Sequence, residues 1–272
     1  MLSWPLVKYV LTAALRDRLI LVLSIMVLVG AALSVFLGSS AVTESDRFAL
    51  VFAAAGLRFA GVAGLVLFVV SYIRRAFESR DVDFLLSRPL SRVTFLCSHA
   101  AAFSLLAFFV AVLVTVSVFA VAPHHAAAAT GSWEGPAASL ENAQGGIGLW
   151  GLSLAAEFII MANTALFFAM VLPGATAGSM ASFGLYVLAR LMGELLGIVN
   201  TGSYTAGYHL LAAVMKIISL IVPRLDLMAQ SSWLVYGAAG SAIGAGFILS
   251  QCVIYSALLV LAAIIDLVRR QF

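Results

Sequence analysis

Six long apolar runs constrain the fold of this chain more than any other feature of its sequence. Each run is long enough to cross a bilayer as a helix, for which about 20 residues are needed. In hydrocarbon the backbone must satisfy its own hydrogen bonds, and unbroken runs of this length do so as helices rather than as barrel strands. The sequence predicts an all-α integral membrane protein, with one transmembrane domain over residues 1–272 and spans at about residues 19–42, 48–73, 95–122, 147–172, 176–199 and 247–267.

Composition and charge agree with this class. Hydrophobic residues make up 63% of the chain and charged residues only 10%, which excludes an ordinary soluble domain. Arginine and lysine concentrate before the first span, between the second and third spans, and at the C-terminus, while the connection 123–146 has neither. Short loops rich in these residues stay on the cytoplasmic side. We therefore expect both termini in the cytoplasm, and the net charge of +3 gives no reason to expect a nucleic-acid partner.

Two segments beside the spans have an amphipathic pattern. Residues 1–18 predict a helix in the membrane interface, with Trp4, Val7, Leu11 and Leu15 on one face; the alternative is a frayed tail with flanking positive charge. Residues 204–246 are apolar but interrupted by charges, and Pro223 would break a continuous helix. We interpret this segment as an outer amphipathic or re-entrant element before the last span.

Four ionisable residues fall inside the predicted spans, where charge is costly and each such residue is a functional hypothesis. They are Arg58, Glu157, Arg190 and Glu194. At about 1.5 Å per residue, they lie at comparable depths in the outer half of the bundle. We expect an intramembrane polar cluster, which either pairs helices structurally or lines a substrate route or gate; pairing is the favoured interpretation.

The sequence contains no motif for catalysis or metal binding. It lacks a phosphate-binding loop, the zinc-protease motif and the nucleophile-elbow motif. His124 and His125 are adjacent, but a pair without further ligands is more typical of a solvated turn. We therefore expect no catalytic residue, no metal site and no enzymatic activity of this chain alone.

The stretch "ESRDVDFLLSRPLSR", residues 78–92, is the one long segment where charge dominates. It predicts a short cytoplasmic helix between the second and third spans, ended by Pro89, which disfavours helix at the residue before it. An apolar knob flanked by charge is typical of a helix that docks into a groove on another protein. The alternative is a solvated linker whose Phe-Leu-Leu lies back on the membrane.

This segment resembles a motif of the permease subunits of type-2 ATP-binding-cassette (ABC) exporters. In that family an acidic segment leads into a "LLS-x-P-x-SR" turn, which reads "LLSRPLSR" here at residues 85–92. "LRDR" at 15–18 is similar to the end of the family's interfacial helix, and "LIVPRLDLM" at 220–228 resembles its outer segment before the last span.

The resemblance implies a function and partners. The chain would be a permease in the cytoplasmic (inner) membrane of a bacterium, facing a second copy or a paralogue. Two copies of a separate ATPase subunit would bind ATP and magnesium, so that this chain itself binds no cofactor. Residues 78–92 would be the coupling helix that contacts the ATPase, through Glu78, Arg80, Asp81, Asp83, Phe84, Leu85, Leu86, Arg88, Pro89 and Arg92.

Other functions remain as alternatives. A secondary transporter would work without an ATPase, and would need polar groups near the middle of the membrane. A membrane enzyme would need a catalytic constellation. A third possibility retains the ATPase but relays motion to an extracytoplasmic partner instead of exporting a substrate. The sequence does not identify the substrate, and the bundle would suit lipids, lipid-linked molecules, hydrophobic peptides or small amphiphiles.

Overall fold

The computed structural model describes residues 2–17, 19–40, 45–78, 91–121, 136–201, 213–214, 217–219, 221–237 and 243–269. Across these residues the regular structure is helical, without a strand. The helices are α1 Trp4–Arg16, α2 Leu19–Ser39, α3 Ser45–Glu78, α4 Arg92–Val121, α5 Pro136–Val171, α6 Ala175–Thr201, α7 Ser232–Tyr236 and α8 Ala245–Arg269.

Six of these helices, α2 to α6 and α8, are long and apolar enough to cross a membrane. The prediction of an all-helical chain with six apolar helices of spanning length is therefore confirmed. Some helices exceed the apolar runs that predict them: α3 continues to Glu78, and α5 begins at Pro136 rather than near residue 147. A helix needs about 20 residues to cross hydrocarbon, so such extensions project beyond the apolar layer or accompany tilt.

The long helices alternate in direction, which gives the bundle two ends. At one end α1 packs beside the last turns of α3 and the start of α4, and we call this the α1 end. Asp17 forms an ion pair with Arg75 there, and the backbone N–H of Ser3 donates to Ser98 Oγ at 2.9 Å. At the opposite end, a side chain at Gly146 of α5 would collide with the backbone of Trp233 in α7. Residues 222–237 therefore pack at the end opposite to α1.

Helix α5 is the centre of the bundle. It packs against α3, α4, α6, α7 and α8, and most of its apolar stretch is buried by them. Trp150, Leu154 and Phe158 on this helix are completely buried. In contrast, only 22%, 22% and 17% of the apolar stretches of α2, α6 and α8 are buried. A polar group on α5 is consequently enclosed by protein, whereas one on the outer face of α6 is not.

Helix α1 lies against the bundle with a face that coincides only in part with the predicted apolar face. Its buried residues are Leu6, Val7, Val10 and Ala14. Of the predicted face, Val7 is buried, but Trp4 and Leu15 are 65% and 67% exposed. The sequence pattern identified an apolar side, but it did not distinguish the residues that contact other helices from those that stay exposed.

Two predicted segments are described only in part. Residues 79–90 lie outside the described residues, so that Arg80, Asp81, Asp83, Phe84, Leu85, Leu86, Arg88 and Pro89 have no structural account. Of the ATPase-contact residues, Glu78 is the last residue of α3 and Arg92 is the first of α4. Of the predicted segment 204–246, residues 221–237 are described continuously. They comprise a 3₁₀ turn at Leu225–Leu227 and α7, and end at Gly237 with a φ of 77°.

Candidate functional site

Three charged side chains from three helices meet inside the bundle. Arg58 of α3 lies 4.0 Å from Glu157 of α5, measured from Nε to Oε1, and Arg190 of α6 lies 3.8 Å from it, measured from Nη1 to Oε2. Glu157 is completely buried, and the side chains of Arg58 and Arg190 are 12% and 24% exposed. We call these three residues the charge cluster. Glu157 falls near the middle of the apolar stretch Gly146–Val171, where an unpaired charge would be costly.

The hydrogen bonds of both arginines go to the backbone of one short segment. Arg190 Nη1 donates to the carbonyl oxygens of Leu225 at 2.5 Å and Met228 at 2.8 Å. Arg58 Nη1 donates to the carbonyl oxygen of Ala229 at 2.9 Å. A hydrogen bond from a charged donor contributes about 1.5–3 kcal/mol. These three bonds therefore stabilise the packing of the segment against α3 and α6.

Two further helices bind the same segment, residues 222–229, which we call the strap. Ser153 Oγ of α5 accepts a hydrogen bond from the backbone N–H of Ala229 at 2.8 Å. The Tyr255 hydroxyl of α8 donates to the carbonyl oxygen of Val222 at 3.2 Å. Together with the arginines, these contacts connect four spanning helices, α3, α5, α6 and α8, to eight consecutive residues. Relative movement of the four helices at this end must therefore move or release the strap.

The backbone of the strap is turned so that its carbonyl groups meet the arginines. Ala229 has a φ of 47°, in the left-handed region that costs a non-glycine residue about 1–2 kcal/mol. Its backbone N–H is bonded to Ser153, and its carbonyl group is bonded to Arg58. Both polar groups of this residue are thus satisfied within the bundle, which compensates the strained conformation.

Glu157 has an unusual position between the two arginines. Neither of its carboxylate oxygens has a hydrogen bond of ordinary geometry among the described residues, and Arg58 Nε has none either. The buried Tyr186 hydroxyl is also directed at the carboxylate. A buried carboxylate needs compensating charge, and Glu157 receives it from two guanidinium groups that lie just beyond hydrogen-bonding distance. The three charged side chains are held together by electrostatic attraction, while the hydrogen bonds of the two arginines go to the backbone of the strap.

A second carboxylate accompanies the strap. Asp226 forms an ion pair with Arg224, whose Nη2 lies 2.9 Å from Asp226 Oδ2, and it interacts electrostatically with Arg190. It packs against Gly193 of α6, where an added Cβ would lie only 2.6 Å from Asp226 Oδ2. Arg190 is therefore attracted by Glu157 on the fixed helix α5 and by Asp226 on the strap.

Glu194, the fourth residue of the predicted polar cluster, lies apart from the other three. It is exposed on α6, one turn from Arg190, and no ion pair is found for it among the described residues. Sequence reasoning missed Ser153, Tyr186 and Tyr255 as partners of this site. Ser153 could have been found, since it lies one helical turn before Glu157 and so on the same face of α5.

The ends of the segment 78–92 are anchored at the α1 end. Ser91 caps α4, because its Oγ accepts a hydrogen bond from the backbone N–H of Thr94 at 3.1 Å. Arg92 Nη1 lies 3.5 Å from the carbonyl oxygen of Leu267, near the end of α8. The Asp17–Arg75 pair connects α1 to α3 close to the same segment. Whatever acts on residues 79–90 therefore acts on helices that are linked to one another.

The described residues include no group of three or more histidine, cysteine, aspartate or glutamate side chains that could hold a metal ion. His124 and His125 lie outside the described part of the chain. Comparison with models of protein families and with curated proteins finds no match.

Proposed function

We propose that this chain is the permease subunit of an ATP-driven exporter of the type-2 ABC class. Its coupling helix would be residues 78–92, between α3 and α4, and a separate ATPase subunit would bind it and hold ATP and magnesium. ATP binding would close the ATPase pair, move this segment, and change access between the helices. The chain would reside in the cytoplasmic membrane of a bacterium with both termini in the cytoplasm.

The observation that carries this proposal is the way the charged segment is anchored. It joins two helices, α3 and α4, that each run through the bundle, and α1 is attached to both by the Asp17–Arg75 and Ser3–Ser98 contacts. Arg92 adds a contact to α8. A force on such a segment reaches three spanning helices directly, and α3 carries Arg58 at the far end. A linker that only connects two helices would not need these contacts.

The outer face of α6 supports the second copy or paralogue in this proposal. Its mean hydropathy of 1.2 is the lowest of the six helices, although only 22% of its apolar stretch is buried. Glu194 and Gly184 lie on this exposed face, and a Cβ at Gly184 would meet no atom within 4 Å. A carboxylate facing lipid is costly, and small residues allow helices to approach closely. Contact with a second permease satisfies both conditions.

Affinity purification tests the partnership with an ATPase. The tagged chain is extracted from its own membranes in a mild detergent. We expect a protein that hydrolyses ATP in a magnesium-dependent reaction to co-purify with it. Phe84→Asp should abolish this co-purification or uncouple hydrolysis from transport. Tyr236→Asp is the matched control, since it places the same charge on an aromatic residue that is 75% exposed at the opposite end. Normal recovery and coupling of the ATPase by Phe84→Asp would contradict the proposal.

One observation favours the secondary transporter as a second candidate. Glu157 is a buried carboxylate near the middle of its span, with arginines on two neighbouring helices. Such residues occur on proton and ion pathways in transporters. A transport assay on the purified chain in sealed vesicles separates the two candidates. Substrate uptake driven by a proton gradient, without any ATPase, would support the secondary transporter and overturn the exporter.

A further inference from the structure

We infer that the charge cluster and the strap form a two-state latch, in which Glu157 competes with the strap carbonyl groups for the two arginines. In the docked state, which the structure contains, the arginines bond to the strap. In the released state, Arg58 and Arg190 would bond directly to Glu157, and the strap would leave the bundle. The latch is a property of this chain alone, and goes beyond the proposed coupling to an ATPase.

The distances carry the first step of this inference. Glu157 lies 3.8 and 4.0 Å from the two guanidinium groups, whereas a charge-assisted hydrogen bond to carboxylate is about 2.7–2.9 Å long. A shift of roughly 1 Å in each arginine side chain would therefore close both contacts. Rotation about the side-chain bonds of the two arginines can supply a shift of this size.

The second step is the cost of releasing the strap. If the strap left and nothing replaced its carbonyl groups, guanidinium donors that are largely enclosed by protein would lose their partners. Glu157 has two carboxylate oxygens without hydrogen bonds among the described residues, which can accept these donors. The released state is thus compensated, because each guanidinium group has hydrogen-bond acceptors in both states.

The third step is the exchange of carboxylates around Arg190. In the docked state Arg190 is attracted by Asp226, which belongs to the strap and packs against Gly193. On release Asp226 departs with the strap, and direct bonding to Glu157 replaces its attraction. Helices α3, α5, α6 and α8 then lose the connection that the docked strap gives them at this end.

Maleimide labelling tests the latch in lipid nanodiscs, which leave both faces of the protein accessible and need no ATPase. The reporter is Met228→Cys, which is completely buried while the strap is docked. Cys97→Ser and Cys252→Ala remove the native thiols. Leu154→Cys on α5 is equally buried but does not belong to the strap, so it reports general opening of the bundle.

The latch predicts that substitution of Arg190 and substitution of Glu157 change the labelling rate in opposite directions. Arg190→Met removes two bonds to the strap, and should raise the labelling rate at residue 228 at least tenfold. Glu157→Gln weakens the released state more than the docked state, so it should lower the labelling rate at residue 228. The same decrease is expected when Glu157→Gln is combined with Arg190→Met. In that double variant labelling is fast enough for a decrease to be measured. Residue 154 should stay unlabelled throughout.

Glu157→Asp provides the same test if the glutamine variant fails to fold, because the shorter side chain cannot reach both arginines. If Glu157 only held the docked strap in place, its removal would loosen the strap, and the labelling rate at residue 228 would rise instead of falling. Faster labelling at residue 228 in both Glu157 and Arg190 variants, or no change in either, would overturn the latch. These outcomes are independent of whether an ATPase binds the chain.

Discussion

Arg190 lies 3.8 Å from Glu157, yet its hydrogen bonds go to the carbonyl oxygens of Leu225 and Met228. This partly buried arginine thus donates its hydrogen bonds to a backbone segment, while its charge attracts a carboxylate on a neighbouring helix. This division explains how a short irregular segment can remain packed inside an apolar bundle. The strap also buries the side chains of Leu225 and Met228, while polar groups supplied by four helices bind its backbone.

Ser153 should be needed for the docked strap. Ser153→Ala leaves the buried backbone N–H of Ala229 without its acceptor, which costs about 1–3 kcal/mol. We expect a lower thermal unfolding temperature and faster labelling of Met228→Cys. Ser182→Ala is the matched control, because the equally buried Ser182 only donates to the carbonyl group of Gly178 in its own helix. Equal destabilisation by the two variants would show that Ser153 has no special role.

Gly193 should also limit how the strap docks. A methyl group there would approach Asp226 Oδ2 at 2.6 Å, so Gly193→Ala must displace this side chain or the strap. We expect several-fold faster labelling of Met228→Cys. Gly184→Ala, on the same helix, meets no atom within 4 Å and gains up to about 1 kcal/mol from helix propensity. If Gly193→Ala behaved like Gly184→Ala, close packing of Asp226 on α6 would be excluded.

The exposed face of α6 should contact a second copy or a paralogue of this chain, as the proposed function requires. Gly184→Cys, in a background without native cysteines, is expected to form a disulfide-linked dimer in native membranes under mild oxidation. Val253→Cys on α8 is the control, because Val253 is 66% exposed on a strongly apolar helix that lipid can cover. Cross-linking at both positions, or at residue 253 only, would argue against α6 as the interface. A chain with a paralogous partner would give a heterodimer, which mass spectrometry distinguishes.

The sequence predicted the helices well because their cause is local. An apolar run of spanning length must satisfy its backbone internally, and this holds without knowledge of neighbours. The proximity of Arg58, Glu157 and Arg190 followed from depth along the helices, since rise per residue is fixed. Depth does not give rotation, however, and Glu194 lies at a similar depth to Arg190 but on the exposed face of α6.

The strap could not have been predicted in the same way. The strap binds its partners through its own backbone groups, which every residue has and which leave no signature in the sequence. The left-handed conformation of Ala229 is likewise unsignalled, because glycine or asparagine would be the usual residue there. Pro223 and the charges of residues 224–226 indicated an irregular segment, but only tertiary contacts determine where it docks.

Helix α1 should detach when its buried face is made polar. Val10 is completely buried between α1 and the bundle, whereas its neighbour Tyr9 is 61% exposed. Val10→Asp would bury a carboxylate without a partner, at a cost of at least 2–3 kcal/mol by order of magnitude, while Tyr9→Asp leaves the packed face intact. We expect hydrogen exchange of residues 4–16 to accelerate strongly in Val10→Asp and little in Tyr9→Asp.

The Asp17–Arg75 pair cannot hold the helix alone, because an ion pair this exposed contributes at most about 1 kcal/mol. Unchanged exchange in Val10→Asp would mean that α1 is held by lipid rather than by the bundle, and its proposed part in transmitting force to α3 and α4 would then be lost.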